Sequence, residues 1–342
     1  MQDNGGPTFT HELLPGSPTI NAGDPNFTPP PLYDQRGAGF DRVFSGRIDI
    51  GSFEVQLDLP IPTPTPSSTP TPTPTPSTIQ LANISTRARV ETGDNVTIGG
   101  FIINGAGSLQ VAIRGIGPSL GQQGIPDFLP DPILELRDSS GSLLATNDNW
   151  QDDPTQAAQL LGLGLAPGNP AESALIRSLQ PGAYTAIIAG NNGGTGVGLF
   201  EVYNVDRTVP VANIELANIS TRGFVRTGAN VMIGGFILRG TSNNATIAIR
   251  GIGPSLAQFG VSNALADPTL ELHDSNGAIL VANDNWQDNP AAAGQLTAHG
   301  LAPPDPLESG IYASLPPGLY TAILAGKNGG TGIGLVEIYN LQ

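Results

Sequence analysis

The chain has 342 residues with 45 Gly, 32 Pro, 39% apolar content and no cysteine. That much Gly and Pro excludes long helices and that much apolar content excludes a wholly disordered chain, so short strands joined by many turns are expected. Without cysteine there is no disulfide, thiolate nucleophile or Cys-ligated zinc, and a net charge of −15 with Lys327 the single lysine excludes the basic stripe that nucleic-acid binding requires. Divalent cations are the ionic partners that such acidity suits best.

No apolar run approaches the roughly 20 residues of a membrane span, and the N-terminal Met1-Gln-Asp-Asn-Gly-Gly6 lacks the regions of a signal peptide. Either the protein is cytosolic or the sequence begins partway through a longer, secreted or surface-attached chain, and the N-terminal segment favours the second. Residues 1–59 carry too few apolar side chains to bury a core alone, and their turn signals alternate with strand-length pieces such as Arg47 to Val55. With His11-Glu-Leu-Leu-Pro-Gly-Ser-Pro-Thr-Ile-Asn-Ala-Gly-Asp24, Asp34-Gln-Arg-Gly37 and Gly46-Arg-Ile-Asp-Ile-Gly-Ser-Phe-Glu54, this piece resembles the C-terminal end of right-handed parallel β-helix proteins of bacterial surfaces. The resemblance implies a terminal cap whose coils, with any substrate groove, lie upstream.

Residues 60–78 alternate Pro with Thr or Ser and are expected to be an extended polyproline II spacer. At roughly 3.1 Å per residue it could span about 60 Å.

The rest is one unit written twice. Leu81-Ala-Asn-Ile-Ser-Thr-Arg87 returns as Leu216 to Arg222, Arg114-Gly-Ile-Gly-Pro-Ser-Leu120 as Arg250 to Leu256, and Asn147-Asp-Asn-Trp-Gln-Asp152 as Asn283 to Asp288. A period of about 135 residues is long enough for a complete domain, so 79–207 and 208–342 are expected to be two all-β, jelly-roll-like sandwich modules in tandem. Period-two alternation such as Leu134-Glu-Leu136 and Leu270-Glu-Leu272 marks half-buried antiparallel strands, seven or eight per copy. Asp138-Ser-Ser-Gly141 and Asp274-Ser-Asn-Gly277 read as hairpin turns. Asp153-Pro154 and Asn289-Pro290 each read as an N-cap followed by proline at the first position of one short helix. Tyr184 and Tyr320 begin a further strand with a buried ring and a bonded hydroxyl.

The second half of each copy, from Leu134-Glu-Leu-Arg-Asp138 to Glu201-Val-Tyr-Asn204 in the first, resembles the bacterial pre-peptidase C-terminal domain, which implies a calcium-associated jelly roll appended to secreted hydrolases. The whole copy also resembles a repeat of large surface proteins of environmental bacteria. Neither resemblance implies catalysis.

The candidate sites divide the same way. Histidines occur at 11, 273 and 299, and none lies in copy one, so no His-dependent triad or metal site is common to both copies. Glu135, Glu172 and Glu201 recur as Glu271, Glu308 and Glu337, and Glu135 and Glu201 are expected to point outward as solvated or ion-paired carboxylates. The Gly-Ile-Gly-Pro-Ser-Leu loop lacks the third glycine of a dinucleotide fingerprint, so it reads as a tight turn with Arg114 or Arg250 anchored to a carboxylate. Asn83 and Asn218 head sequons and read as strand residues. Asp148 and Asp152, with Asp284 and Asp288, are the candidate metal ligands, since Asp- and Asn-rich loops suit calcium. The same residues also simply make turns. Trp150 and Trp286 are either core plugs or sugar-stacking platforms. The expected role is non-catalytic: adhesion, binding of an extracellular polysaccharide or other polymer, or display at a bacterial surface. The alternative is the accessory end of a secreted β-helix polysaccharide lyase or hydrolase.

Overall fold

The computed structural model describes residues 3–4, 7, 10–13, 17–56, 79–206, 214–240 and 244–341. The Thr/Pro spacer and the junction after Asp206 lie outside them. The chain divides into two compact units, Met1–Thr75 and Pro76–Gln342.

The described part of the first unit is mainly turns and bends, and Tyr33 and Asp41 form an isolated antiparallel bridge. Its interior is polar. Asp34 pairs with Arg36 at 2.6 Å, both buried, and the Arg36 guanidinium lies 3.9 Å and 3.8 Å from the Phe40 and Phe53 ring centres. Asp34 also accepts from Glu54 N, Glu54 accepts from Asp49 N, and Asp49 accepts from Asn21 N and Val55 N. Few apolar residues leave these charged groups to close the interior, and they do so only because each has a partner. Burial raises the Glu54 carboxyl above its usual range. Burial alone would raise Asp34 too, but the bonds from Arg36 and the Glu54 backbone hold it below.

In the second unit, copy one forms β1 (Gln80–Val90), β2 (Thr97–Gly105), β3 (Leu109–Ile116), β4 (Pro132–Asp138) and β5 (Leu143–Asn147). After α1 (Pro154–Leu163) come β6 (Ser173–Leu179), β7 (Gly182–Gly190) and β8 (Gly196–Asn204). Copy two repeats the order with β9 (Ile214–Val225), β10 (Met232–Arg239), β11 (Ala245–Ile252), β12 (Pro268–His273) and β13 (Ile279–Asn283). It ends with α2 (Pro290–Ala298), β14 (Ser309–Leu315), β15 (Gly318–Gly326) and β16 (Gly332–Asn340). The chain is thus all-β with a large, mainly antiparallel sheet.

Local chemistry sets these elements. In β4 burial alternates residue by residue, and the β4-β5 turn has Gly141 at φ +82° with Asp138 accepting from Ser140 N and Ser142 N. The Asp153 and Asn289 side chains cap α1 and α2. Tyr184 and Tyr320 donate to the carbonyls of Gln180 and Pro316 at 2.8 Å, and their rings stack on Phe101 and Phe236.

The copies do not close separately. β1 pairs with β8 of its own copy and with β10 of the other, while β9 pairs with β16 and with β2. Two ribbons of eight strands result, in the orders β6-β3-β8-β1-β10-β15-β12-β13 and β14-β11-β16-β9-β2-β7-β4-β5, joined by parallel bridges between β1 and β9. One apolar core runs through both copies, from Ile79 to Ile338. Phe200 of β8 lies against Gly99 of β2, where an added Cβ would stand 2.1 Å from the ring. A boundary between independently folded modules was expected near Asp206 to Ile214, whereas the strand pairing runs from copy to copy. The reason is that β1 is not paired with β2, nor β9 with β10, so each of these strands leaves an edge that the other copy satisfies.

Residues 79–206 alone would therefore expose the edges of β1 and β2. The fragment is expected to self-associate in light scattering or to lose its cooperative melt, and a monomer melting as cooperatively as the full chain would show that the cross-copy pairing is dispensable.

Candidate functional site

The recurring Gly-Ile-Gly-Pro-Ser-Leu turn is built around a buried carboxylate. Glu172 has no exposed surface and accepts from Gly117 N (3.0 Å), Ser119 N (2.7 Å), Ser119 Oγ (2.7 Å) and Asn169 N (3.1 Å). Glu308 repeats this with Gly253 N, Ser255 N, Ser255 Oγ and Asp305 N. Each carboxylate is held by neutral donors alone, which can carry a buried negative charge when several converge. Gly117 is required because an added Cβ would stand 2.0 Å from the Leu129 carbonyl oxygen. The sequence showed Glu172 and Glu308 as a recurring pair but assigned them no place in this turn. Its available signal was a Ser-Glu pair that recurs at the same separation in both copies.

The arginine of the same motif is anchored to a carboxylate, as expected. Arg114 Nε donates to Glu201 Oε2 at 2.7 Å, Arg114 Nη2 donates to the same oxygen, and Tyr203 OH donates to Glu201 Oε1 at 2.7 Å. Copy two matches it with Arg250, Glu337 and Tyr339. Glu201, expected on the outward side of its strand as a solvated or ion-paired carboxylate, is ion-paired, and it and Glu337 are 6% and 7% exposed. The outward side of β3, β6 and β8 is covered: Trp150, Ala157 and Leu160 pack there on Ala112, Ala174 and Ile176. Burial, then the adjacent Glu337 charge, pushes the Tyr339 hydroxyl up to about 12, and Tyr203 is raised further for the same reasons. Glu135 does reach the surface and pairs with Arg137, while Glu271 pairs with His273.

The Asn-Asp-Asn-Trp-Gln-Asp loops separate the candidate ligands. Asp152 and Asp288 accept from the backbone of Asn149 and Asn285, so they close their own turns. Asp284 binds the Lys327 ammonium at 2.6 Å. Asp148 Oδ1 is shielded and has no hydrogen-bond partner. Among the described residues no three His, Asp or Glu side chains gather around a common point. Trp150 is 7% exposed, and its indole N–H donates to Asn169 O at 3.1 Å, so it plugs the cluster under α1 and offers no stacking face. Trp286 is half-buried, with its indole nitrogen shielded. Asn83 and Asn218 are buried in β1 and β9 and bond across the sheet to the carbonyls of Val202 and Ile338. No helix among the described residues is long and apolar enough to cross a membrane.

No protein-family model and no curated protein matches the sequence. Among solved structures the chain is similar to a DUF4785 family protein from Legionella pneumophila, at 7% identity over 76% of this chain and 83% of that one, with a TM-score of 0.21. It is similar to PNGF-II at 11% identity over 78% and 58% of the two chains (TM-score 0.20), and to tripeptidyl peptidase 2 at 12% over 78% and 22% (TM-score 0.17). Likeness at this level assigns no activity.

Glu172→Gln would turn an amide NH₂ toward groups that are all donors, leaving buried donors unpaired. A loss of about 2–4 kcal/mol is expected in denaturant titration, and an unchanged midpoint would remove Glu172 as the anchor of the turn. The tyrosines give a pH dependence. Because the folded-state value of Tyr339 lies above its ordinary value near 10, its contribution is complete below about pH 10 and is lost as pH rises toward 12. Melting temperature should fall across that window, and Tyr339→Phe should flatten part of the decline.

Proposed function

We propose that residues 79–342 serve as a non-catalytic extracellular module pair for adhesion, polymer binding or display at a bacterial surface. In this reading residues 1–59 close a parallel β-helix and residues 60–78 are the linker that follows it in sequence. The two ribbons would be the layers of two jelly-roll-like sandwiches merged edge to edge. What supports the reading most is the fate of the three glutamates that recur in both copies. Glu172 and Glu308 are saturated by backbone and serine donors and Glu201 and Glu337 are held by arginine and tyrosine, while Glu135 and Glu271 each bond through one oxygen to a neighbour on their own strands. A general acid or base needs a carboxyl within reach of a substrate proton and free to exchange it, and these side chains already accept from other groups.

A glycan array probed with the full chain, alongside assays for released reducing ends and peptides, tests the proposal. Retention on one class of polymer without turnover is the expected result. Turnover that disappears in Glu135→Gln, the most accessible of the copy-one glutamates, would overturn the non-catalytic reading.

A further inference from the structure

The seam where β1 of copy one pairs with β10 of copy two holds a cavity of about 160 Å³. Asn83 on β1, Asn204 on β8, and Leu163 and Leu165 at and just beyond the end of α1 line it from copy one, while Ile237 and Arg239 on β10 line it from copy two. Among the described residues Arg239 alone charges this lining, and its exposed guanidinium makes no ion pair or hydrogen bond with them. Asn83 is 6% exposed; its Nδ2 donates to Val202 O at 3.2 Å, and its Oδ1 accepts from none of the described residues. Asn204 is the converse, with Oδ1 accepting from Asp206 N at 3.1 Å and Nδ2 donating to none of them. One cation, one acceptor and one donor thus stand unused beside the apolar walls of Leu163, Leu165 and Ile237.

The other seam, where β9 pairs with β2, does not repeat this chemistry. Asn104 holds the place of Arg239 and His299 that of Leu163, and Glu215 stands opposite Asn104 where Gln80 stands opposite Arg239. A ligand carboxylate would meet a cation in the first seam and a half-buried carboxylate in the second. We propose that the first seam binds one sugar residue carrying a single carboxylate, a uronate at the end of an extracellular polysaccharide. Arg239 pairs with the carboxylate through its planar fork, the free Asn83 oxygen and Asn204 amide nitrogen bond ring hydroxyls, and the C–H face of the ring lies on the three apolar side chains. The cavity is smaller than the roughly 300 Å³ at which sites for drug-sized ligands begin, so it takes one ring. With one cation in the lining of a chain of net charge −15, a run of acidic sugars is repelled beyond its first unit, and a chain end fits best. The inference rests on the polymer-binding reading above and names the chemistry of one ligand for it.

Titration of D-galacturonate and D-glucuronate into the full chain, followed by calorimetry and amide NMR shifts, tests it, with galactose and acetate as probes that each carry half of the chemistry. At least one uronate should saturate at one site per chain and bind about tenfold more tightly than either control, and Arg239→Gln should weaken it about tenfold, the worth of one charge-assisted bond. Arg239 is exposed and its guanidinium holds no described residue in place, so the variant should melt with the unaltered chain. Saturable binding of neither uronate, binding no tighter than that of acetate, or binding that survives in Arg239→Gln would overturn the proposal. A neutral polymer retained on the glycan array while both uronates stay silent would overturn it alone and leave the polymer-binding reading standing.

Discussion

Strand β1 is hydrogen-bonded along both edges, to β8 within its own copy and to β10 of the other, and the second unit depends on that double pairing. A strand in the middle of an apolar core can leave no N–H or C=O unpaired, and Leu81, Ile84 and Val90 have no exposed surface. β9 obeys the same constraint through β16 and β2, so each copy completes the other. Where β1 and β9 face each other, Thr86 and Thr221 occupy the same repeat position and share one hydrogen bond of 2.8 Å, both fully buried. Each hydroxyl finds its partner only in its own counterpart, so this contact is satisfied when two copies meet and leaves two orphaned polar groups when they part.

The same economy governs the buried carboxylates. Glu172 ties the Gly117-Ser119 turn to the Asn169 loop, and its backbone carbonyl accepts from Trp150 N at 2.8 Å, so one residue fixes the turn, the loop and the tryptophan under α1. Arg114 does comparable work on the next strand, gripping Glu201 while its Nη1 donates to Leu165 O beyond α1. Charged groups in these places join segments distant in sequence, which a purely apolar filling could not orient. Proton transfer to a ligand would break those bonds, so architecture and catalysis compete for the same oxygens.

How much of this was legible follows from range. Hairpin turns, helix caps and the tyrosine hydroxyl bonds involve residues at most four apart, and local chemistry was enough to place Asp138, Gly141, Asp153 and Tyr184. Period-two alternation reports which side of a strand is buried and says nothing of which strand lies on its edge. The pairing of β1 with β10 was invisible for that reason, since β2 of the same copy offers the equivalent edge. Glu201 was placed on the outward side correctly, but the sequence did not reveal that α1 and Trp150 cover that side. Asp284 read like Asp148 until the fold brought Lys327 beside it.

The two copies differ at contacts where identity would be costly. Glu91 and Arg226 hold the same repeat position and meet across the join at 2.8 Å, so two like copies would set glutamate against glutamate or arginine against arginine. Arg89 adds a bond to Glu91 at 2.7 Å, while its counterpart Phe224 lies beneath the Arg226 guanidinium. A partly exposed pair of this kind is worth about 0.2–1 kcal/mol, far too little to hold the unit together. It is enough to bias a choice between strand edges that are otherwise equivalent, because a bias needs only a difference between nearly equal alternatives. Lys327 beside Asp267 and Asp284 is a divergence of the same kind, a charge placed in one copy where the other has the Asn191 amide. Duplication supplied the shared sheets, and charge differences at a few matched positions made the two copies a complementary pair rather than interchangeable halves.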